Sequence, residues 1–319
     1  MPSVRARPRA RTDHARSGGV DRPRGANRGG RAHGRRQWSG LLFVLPALAL
    51  YSAFILYPAA RTLNLSLWKW DGVNPATWRG LANFADVATD PILRGSIGNA
   101  LVLLVFFALA PVCFGLVMAA LLTRRRIRGM AAFRLIFFLP QILPLVAVGI
   151  IFRWIYYRDG MANSILGLLG ISSDRAWLGD WNWALIAIGL IGTWVQSGLC
   201  MMLFIAGAAN IDTHLFEAAR LDGAGPVREF FAVTLPGLRK EVGLALTVTV
   251  ISALASFDLV YITTGGSPGH RTDVPGLVVF QRLVSGDLGH AAALAIVLSC
   301  LVGLAAIATS RLSSAGGER

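Results

Sequence analysis

Long apolar runs constrain this chain more than any other feature. Six stretches, at about 40–60, 97–122, 135–157, 183–206, 242–263 and 288–310, carry almost no charge. Each meets the length of roughly 20 residues that a helix needs to cross about 30 Å of hydrocarbon. The unbroken run from Leu101 to Leu122 lacks the alternation of a barrel strand. Lipid offers no partner to an open strand edge, so these segments must be helical. The expected class is an all-α membrane protein with six transmembrane helices.

Composition agrees, because 54% of the 319 residues are apolar and 15% charged, too little charge to cover a water-soluble globule. The net charge of +14 suggests a nucleic-acid partner until the cations are located: 11 of the 31 Lys and Arg fall in the first 36 residues. No aromatic residue is interleaved with them, so no nucleic acid is expected as a partner. Residues 1–36 are rich in Arg, Gly and Pro and are expected to be a disordered basic tail near anionic headgroups. The first apolar run has spanning length and no clear cleavage site ends it, so it is expected to stay as a span.

Orientation follows from the cations. The tail, the stretches 123–134 and 207–240 and the C-terminal end hold 22 of them, against eight in the loops 61–96, 158–182 and 264–287. The richer side is cytoplasmic, which puts both termini there, with a transmembrane domain over 37–319 and a long cytoplasmic loop at 207–240. The same rule accounts for Arg124, Arg125, Arg126 and Arg128. Trp68, Trp70, Trp177, Trp181 and Trp183 lie beside the outer ends of spans and read as interfacial anchors and nothing more. Pro140 and Pro144 interrupt the third span with a kink that either opens space along a pathway or only adjusts packing.

Catalysis finds no support. Cys113, Cys200 and Cys300 sit within apolar runs, and no paired-cysteine, phosphate-loop or nucleophile-elbow pattern accompanies them. No catalytic residue, metal or cofactor is expected. The polar residues inside the spans are the candidates for a pathway: Asn99, Gln141, Gln196, Ser197 and Asp258. A charge at the bilayer centre costs roughly 2.5–3.5 kcal/mol, so Asp258 either serves function or bonds a neighbouring helix. Counted from the outer end of its expected span it lies only about 7–8 Å below the interface. Gln196 and Ser197 fall nearer mid-span, where they bind a solute hydroxyl or join helices.

The cytoplasmic loop from Asp212 to Pro236 has the grammar of two short helices. Asp212 suits an N-cap, Gly223 the left-handed position after a first helix, and Pro226 the first turn of a second. Ala218, Ala219 and Gly223 form a small-residue surface, with Phe216, Leu221, Phe230 and Phe231 as apolar anchors nearby. Glu217 stands beside that surface, available to a partner's cation, with Arg220 one turn away. The plain alternative is an amphipathic loop packed on its own bundle.

Glu217-Ala218-Ala219, then Gly223, then Val233-Thr234-Leu235-Pro236 resembles, at every spacing, the cytoplasmic signature of permease subunits of binding-protein-dependent ABC importers, with Val233 for the usual Ile. The resemblance covers most of the chain outside the tail and favours the carbohydrate-uptake branch. Its marks are Leu45-Pro46, Asn83-Phe84, Asn99, Leu139-Pro140, Gly160 with Asn163, and Phe257-Asp258 before Thr264-Gly265-Gly266; Ser267-Pro268 replaces the usual Gly-Pro.

The resemblance implies an importer permease bundle in the bacterial cytoplasmic membrane, itself no enzyme. Glu217, Ala218, Ala219, Gly223, Leu235 and Pro236 would couple it to cytoplasmic ATPase subunits that hydrolyse ATP. A second permease subunit and an extracytoplasmic solute-binding protein are the further partners implied. The rival is a secondary transporter of a small solute, for which coupling carboxylates and repeated halves are not evident.

Overall fold

The computed structural model describes residues 43–123 and 129–314. The basic tail and Arg124, Arg125, Arg126 and Arg128 lie outside the described residues. The chain divides into two compact units, residues 1–57 and 58–319. The described part of the first is helical from Phe43, with a π turn at Ser52–Leu56, and this helix, α1, runs on as Phe43–Leu65.

In the second unit, α2 (Ala82–Thr89) precedes α3 (Pro91–Leu122), a span with a π turn at Val105–Leu109. Next come α4 (Met130–Ile142), α5 (Leu145–Ile155) and the short α6 (Met161–Leu168). The central helix is α7 (Ala184–Ala208), followed by α8 (Thr213–Leu221) and α9 (Pro226–Glu229). The chain ends with α10 (Arg239–Leu254), α11 (Asp258–Thr263), α12 (Pro275–Val284) and α13 (Leu288–Ser314). Among the described residues the one sheet is a two-stranded antiparallel ladder pairing Trp68 with Trp78.

Four expected spans appear as continuous helices of crossing length: α1, α3, α7 and α13. The other two require correction. The third is no single helix, because α4 and α5 meet at an angle of 100°. Leu143 is extended and Pro144 follows it, as expected where a proline ring disfavours the helical conformation of the residue before it. The bend is therefore a break at Leu143-Pro144, while Pro140 stays inside α4. The fifth span also breaks: α10 stops at Leu254 and α11 starts at Asp258. Asp258 thus opens a short helix instead of sitting within a continuous one.

α7 is two-thirds buried, more than any other continuous span among the described residues. Near one end Ile188, Ile191 and Val195 pack with Leu103, Phe107 and Val148; near the other Met201 and Phe204 pack with Val112, Ala119 and Leu238. In lipid, burying apolar surface gains little, so close van der Waals contact must hold helices together. Small residues provide it. A Cβ at Gly198 would lie 2.2 Å from the Phe137 carbonyl oxygen on α4, and one at Gly115 of α3 would lie 2.8 Å from the Cys200 backbone. Thr193 adds a hydrogen bond of 2.7 Å to the Phe106 carbonyl within the π turn of α3.

Two buried asparagines tie the loops down. Asn83 donates to the carbonyls of Ser66 and Trp68 at 2.7 and 2.9 Å. Asn163 donates to those of Arg158 and Arg175 and accepts from Trp177 Nε1 at 2.8 Å. The Arg175 guanidinium lies 5.4 and 5.1 Å from the ring centroids of Trp177 and Trp183. These tryptophans therefore do more than the anchoring expected of them: they fasten the loop before α7.

Asp90 caps α3 through the amides of Ile92 and Leu93 and pairs with Arg282 of α12 at 2.7 Å. Burial pushes its carboxyl up, but those two amides and the Arg282 charge outweigh this and hold it below the usual carboxylate range. A depressed acid stabilises the fold above its unfolded pKa and loses that contribution as the pH falls through the folded value. Asp90→Asn keeps an acceptor for the amides and removes the charge. It is expected to cost about 1–2 kcal/mol at neutral pH. Thermal unfolding of the two proteins in detergent should converge below the carboxylate range, and a gap that persists there would contradict the assignment.

Candidate functional site

Two sites emerge, one in the bundle and one at the loop after α7. The bundle site forms where both broken helices face the central one. α5 packs on α11, and the break residues Leu143 and Ala255–Phe257 line a cavity of about 270 Å³ together with Gln141 of α4 and Gln196 of α7. Backbone that leaves helical geometry inside a membrane is tolerated where it borders protein or a wet cavity, and here both breaks do so.

Three of the five polar residues expected along a pathway, Gln141, Gln196 and Asp258, line this one cavity. Gln196 is 7% exposed. Ser256 Oγ and Gln141 Oε1, in the same wall, are buried without partners among the described residues. Leaving such a group unpaired costs about 1–3 kcal/mol, a penalty that a polar occupant would remove.

The other two residues lie elsewhere. Asn99 donates to the Asp273 carbonyl at 2.9 Å, joining α3 to the loop before α12. Ser197 donates to the Thr193 carbonyl of its own helix. Both side chains are engaged in holding structure. Ser252 and Ser256 also line the cavity. They were not legible in the sequence because serines are common in apolar helices and neither has a distinguishing neighbour.

The second site is the bent pair α8–α9. Asp212 accepts from the His214 amide at 3.0 Å and caps α8. Gly223 has φ +75°, a conformation that a side chain resists, and it reverses the chain toward Pro226, the first residue of α9. A π turn at Phe230–Thr234 then leads to Leu235–Gly237. Leu238, wholly buried against α7, anchors the far end.

Glu217 has 64% of its side chain exposed, with His214 Nδ1 at 3.4 Å. Ala218 is exposed beside it, and Leu221 is 89% exposed. Arg220 does not turn to Glu217. It reaches across the bend to Glu229, 3.2 Å away and 3% exposed. The Glu229 hydrogen bond, and then its charge, raises the Arg220 guanidinium above its ordinary range. This clamp between residues nine apart on two helices has no sequence signature. Phe216, Glu217, Arg220, Glu229 and Thr234 line a groove of about 350 Å³ beside the end of α7.

A bundle with broken helices around a polar cavity, joined to an exposed bent helix pair, has the architecture of an importer permease. The solved bacterial alginate ABC transporter in complex with alginate pentasaccharide-bound periplasmic protein contains a chain of the same fold, at a TM-score of 0.73 and 18% identity, over 88% of this chain and 95% of that one. Residues 111–314 match the family described as binding-protein-dependent transport system inner membrane component, and the chain belongs to it. It is 35% identical to the sulfoquinovosyl glycerol transport system permease protein SmoG of Agrobacterium fabrum, over 82% of this chain and 85% of that protein. It is 34% identical to the lactose transport system permease protein LacF of Rhizobium radiobacter, over 72% and 78%.

Proposed function

We propose that this chain is a permease subunit of an ATP-driven importer, forming part of the pathway for a sugar or related solute. The observation that carries this reading is the exposed bent pair: Glu217-Ala218-Ala219, Gly223 and Leu235-Pro236 held in shape by the Arg220–Glu229 clamp and rooted on α7 through Leu238. Its exposed apolar residues suit a groove on a cytoplasmic ATPase subunit. The cavity around Gln196 is the solute's station within this chain. The names of the relatives, which transport sulfoquinovosyl glycerol and lactose, support a carbohydrate solute.

In this reading residues 37–319 form the transmembrane domain, preceded by the basic tail 1–36. The chain crosses the membrane six times with both termini in the cytoplasm, α4–α5 and α10–α11 each counting as one broken crossing. The distribution of Lys and Arg supports that orientation. ATP hydrolysis belongs to the partner subunit. Closure of the ATPase pair would move the bent helices and bias the bundle between two access states. A second permease subunit, related but not identical, and an extracytoplasmic binding protein complete the assembly.

Reconstituted into liposomes with its ATPase and binding protein, the chain should support solute uptake only when ATP is supplied. Uptake driven by an ion gradient without the ATPase would overturn the reading in favour of a secondary transporter.

A further inference from the structure

We propose that the pocket between α6 and the start of α7 is a phospholipid site, which holds one acyl chain against Trp177 and Trp183 and the phosphate at Arg175. Its placement in the outer leaflet rests on the orientation proposed above; the pocket and its cation do not. The pocket measures about 230 Å³, and its walls, chiefly Tyr156, Ile165, Leu166, Trp177, Trp183 and Leu190, are hydrocarbon and aromatic ring. Trp177 Nε1 is already given to Asn163 at 2.8 Å. An ordered water needs roughly two to four polar partners, which such walls do not offer. Left empty, the pocket would forgo the van der Waals contact on which packing in lipid depends. Hydrocarbon is the filling that fits.

The surroundings select a lipid over a protein segment. Around the pocket the surface stays apolar: Trp154 near the end of α5 is 76% exposed and Leu168 of α6 87%. A short helix with apolar residues exposed lies at the boundary of headgroups and acyl chains, the zone that Trp and Tyr favour. A cation stands at the same place. The Arg175 guanidinium lies over both tryptophan rings that wall the pocket, and its contact with Asp180 is 3.6 Å, beyond hydrogen-bond length. Donors therefore remain for phosphate oxygens, in the forked geometry that a guanidinium presents. An apolar well with a cation at its edge complements a phospholipid, the chain in the well and the anion at the edge.

The test uses the purified full-length chain in mild detergent with increasing amounts of phosphatidylglycerol that carries a photoactivatable diazirine in one acyl chain. Labelling of segment 159–175, which trypsin releases between Arg158 and Arg175, should saturate, while labelling of α13 around the exposed Leu304 should rise in proportion to the probe. Ala162→Phe fills the pocket from its wall, and Ile165→Trp does so from a half-exposed position that tolerates bulk. Either should abolish the saturable component while gel filtration shows a folded chain. Arg175→Gln should weaken half-saturation about fivefold, and Arg175→Lys should retain most of it. A diacylglycerol probe without phosphate should bind about fivefold more weakly and ignore Arg175→Gln. Proportional labelling of 159–175 in the parent, saturation that survives both filling substitutions, or equal affinity for the two probes overturns the proposal. Loss of the label when a second permease or a binding protein is added does so too, by assigning the pocket to a protein. Labelling needs neither ATP nor an ATPase, so failure of the transport reading and failure of the lipid site give separate results.

Discussion

Glu217→Arg is expected to release the ATPase subunit from the membrane while the permease stays folded. Glu217 projects from the exposed face of α8, and its close partner among the described residues is His214, itself largely exposed, so its replacement removes nothing from the core. Arg220, one turn away, is held chiefly by the Glu229 hydrogen bond and charge, with the Glu217 charge a smaller contribution, so the clamp should survive the new cation. What changes is the docking surface, where an anion becomes a long cation. Opposed like charges at an interface cost several kcal/mol, which corresponds to roughly a hundredfold or greater loss of affinity. Co-purification in mild detergent measures it, with gel filtration of the permease as the folding control. Undiminished recovery of the ATPase would remove Glu217 from the docking role.

Gly198→Leu should act in the opposite way, breaking the bundle itself. Even a first side-chain carbon there would lie within covalent-clash distance of the Phe137 carbonyl, and backbone cannot rotate aside as a side chain can. α4 would have to move away from α7, opening the layer that contains Met201 and Phe204. Overpacking of this kind costs about 3 kcal/mol or more at sites that cannot relax. The expected result is a large fall in monodisperse protein after mild heating. Gly167→Leu on α6, with open space at its Cβ position, serves as the matched control and should behave like the parent. Equal thermal behaviour of the two variants would mean that α4 and α7 do not touch at this point.

The same close approach explains why hydropathy alone missed the breaks. A window of about 20 residues averages over the two-residue interruption at Leu143-Pro144 and returns one span there, and the kink expected from Pro140 and Pro144 is a full break. Pro144 at least left a local mark. The break at Ala255–Phe257 contains neither Gly nor Pro. Its non-helical backbone is set by what surrounds it: α11 packing on α5, with Gly149 against Ile262.

The five polar residues expected along a pathway illustrate the same limit. Residue type was readable for all five, but the neighbours that use up Asn99 and Ser197 were not. One bonds a carbonyl 174 residues away, the other a carbonyl one helical turn back in a packed core. Asn83 and Asn163 stood out as family marks without any visible purpose. Their purpose is three-dimensional, since each secures carbonyls of loop residues several to many positions away.

Sequence by itself determined what depends on neighbours along the chain: four continuous crossing helices, the Asp212 cap, the left-handed turn at Gly223, and the spaced signature that marks the family. These follow from apolar length, local hydrogen bonding and backbone sterics, all short-range effects. Tertiary structure alone decided where the two breaks meet, which polar groups share one cavity, and that Arg220 pairs with Glu229 across the bend. Those outcomes depend on side chains brought together from distant segments, where packing and the need to pair buried polar groups outweigh local preference.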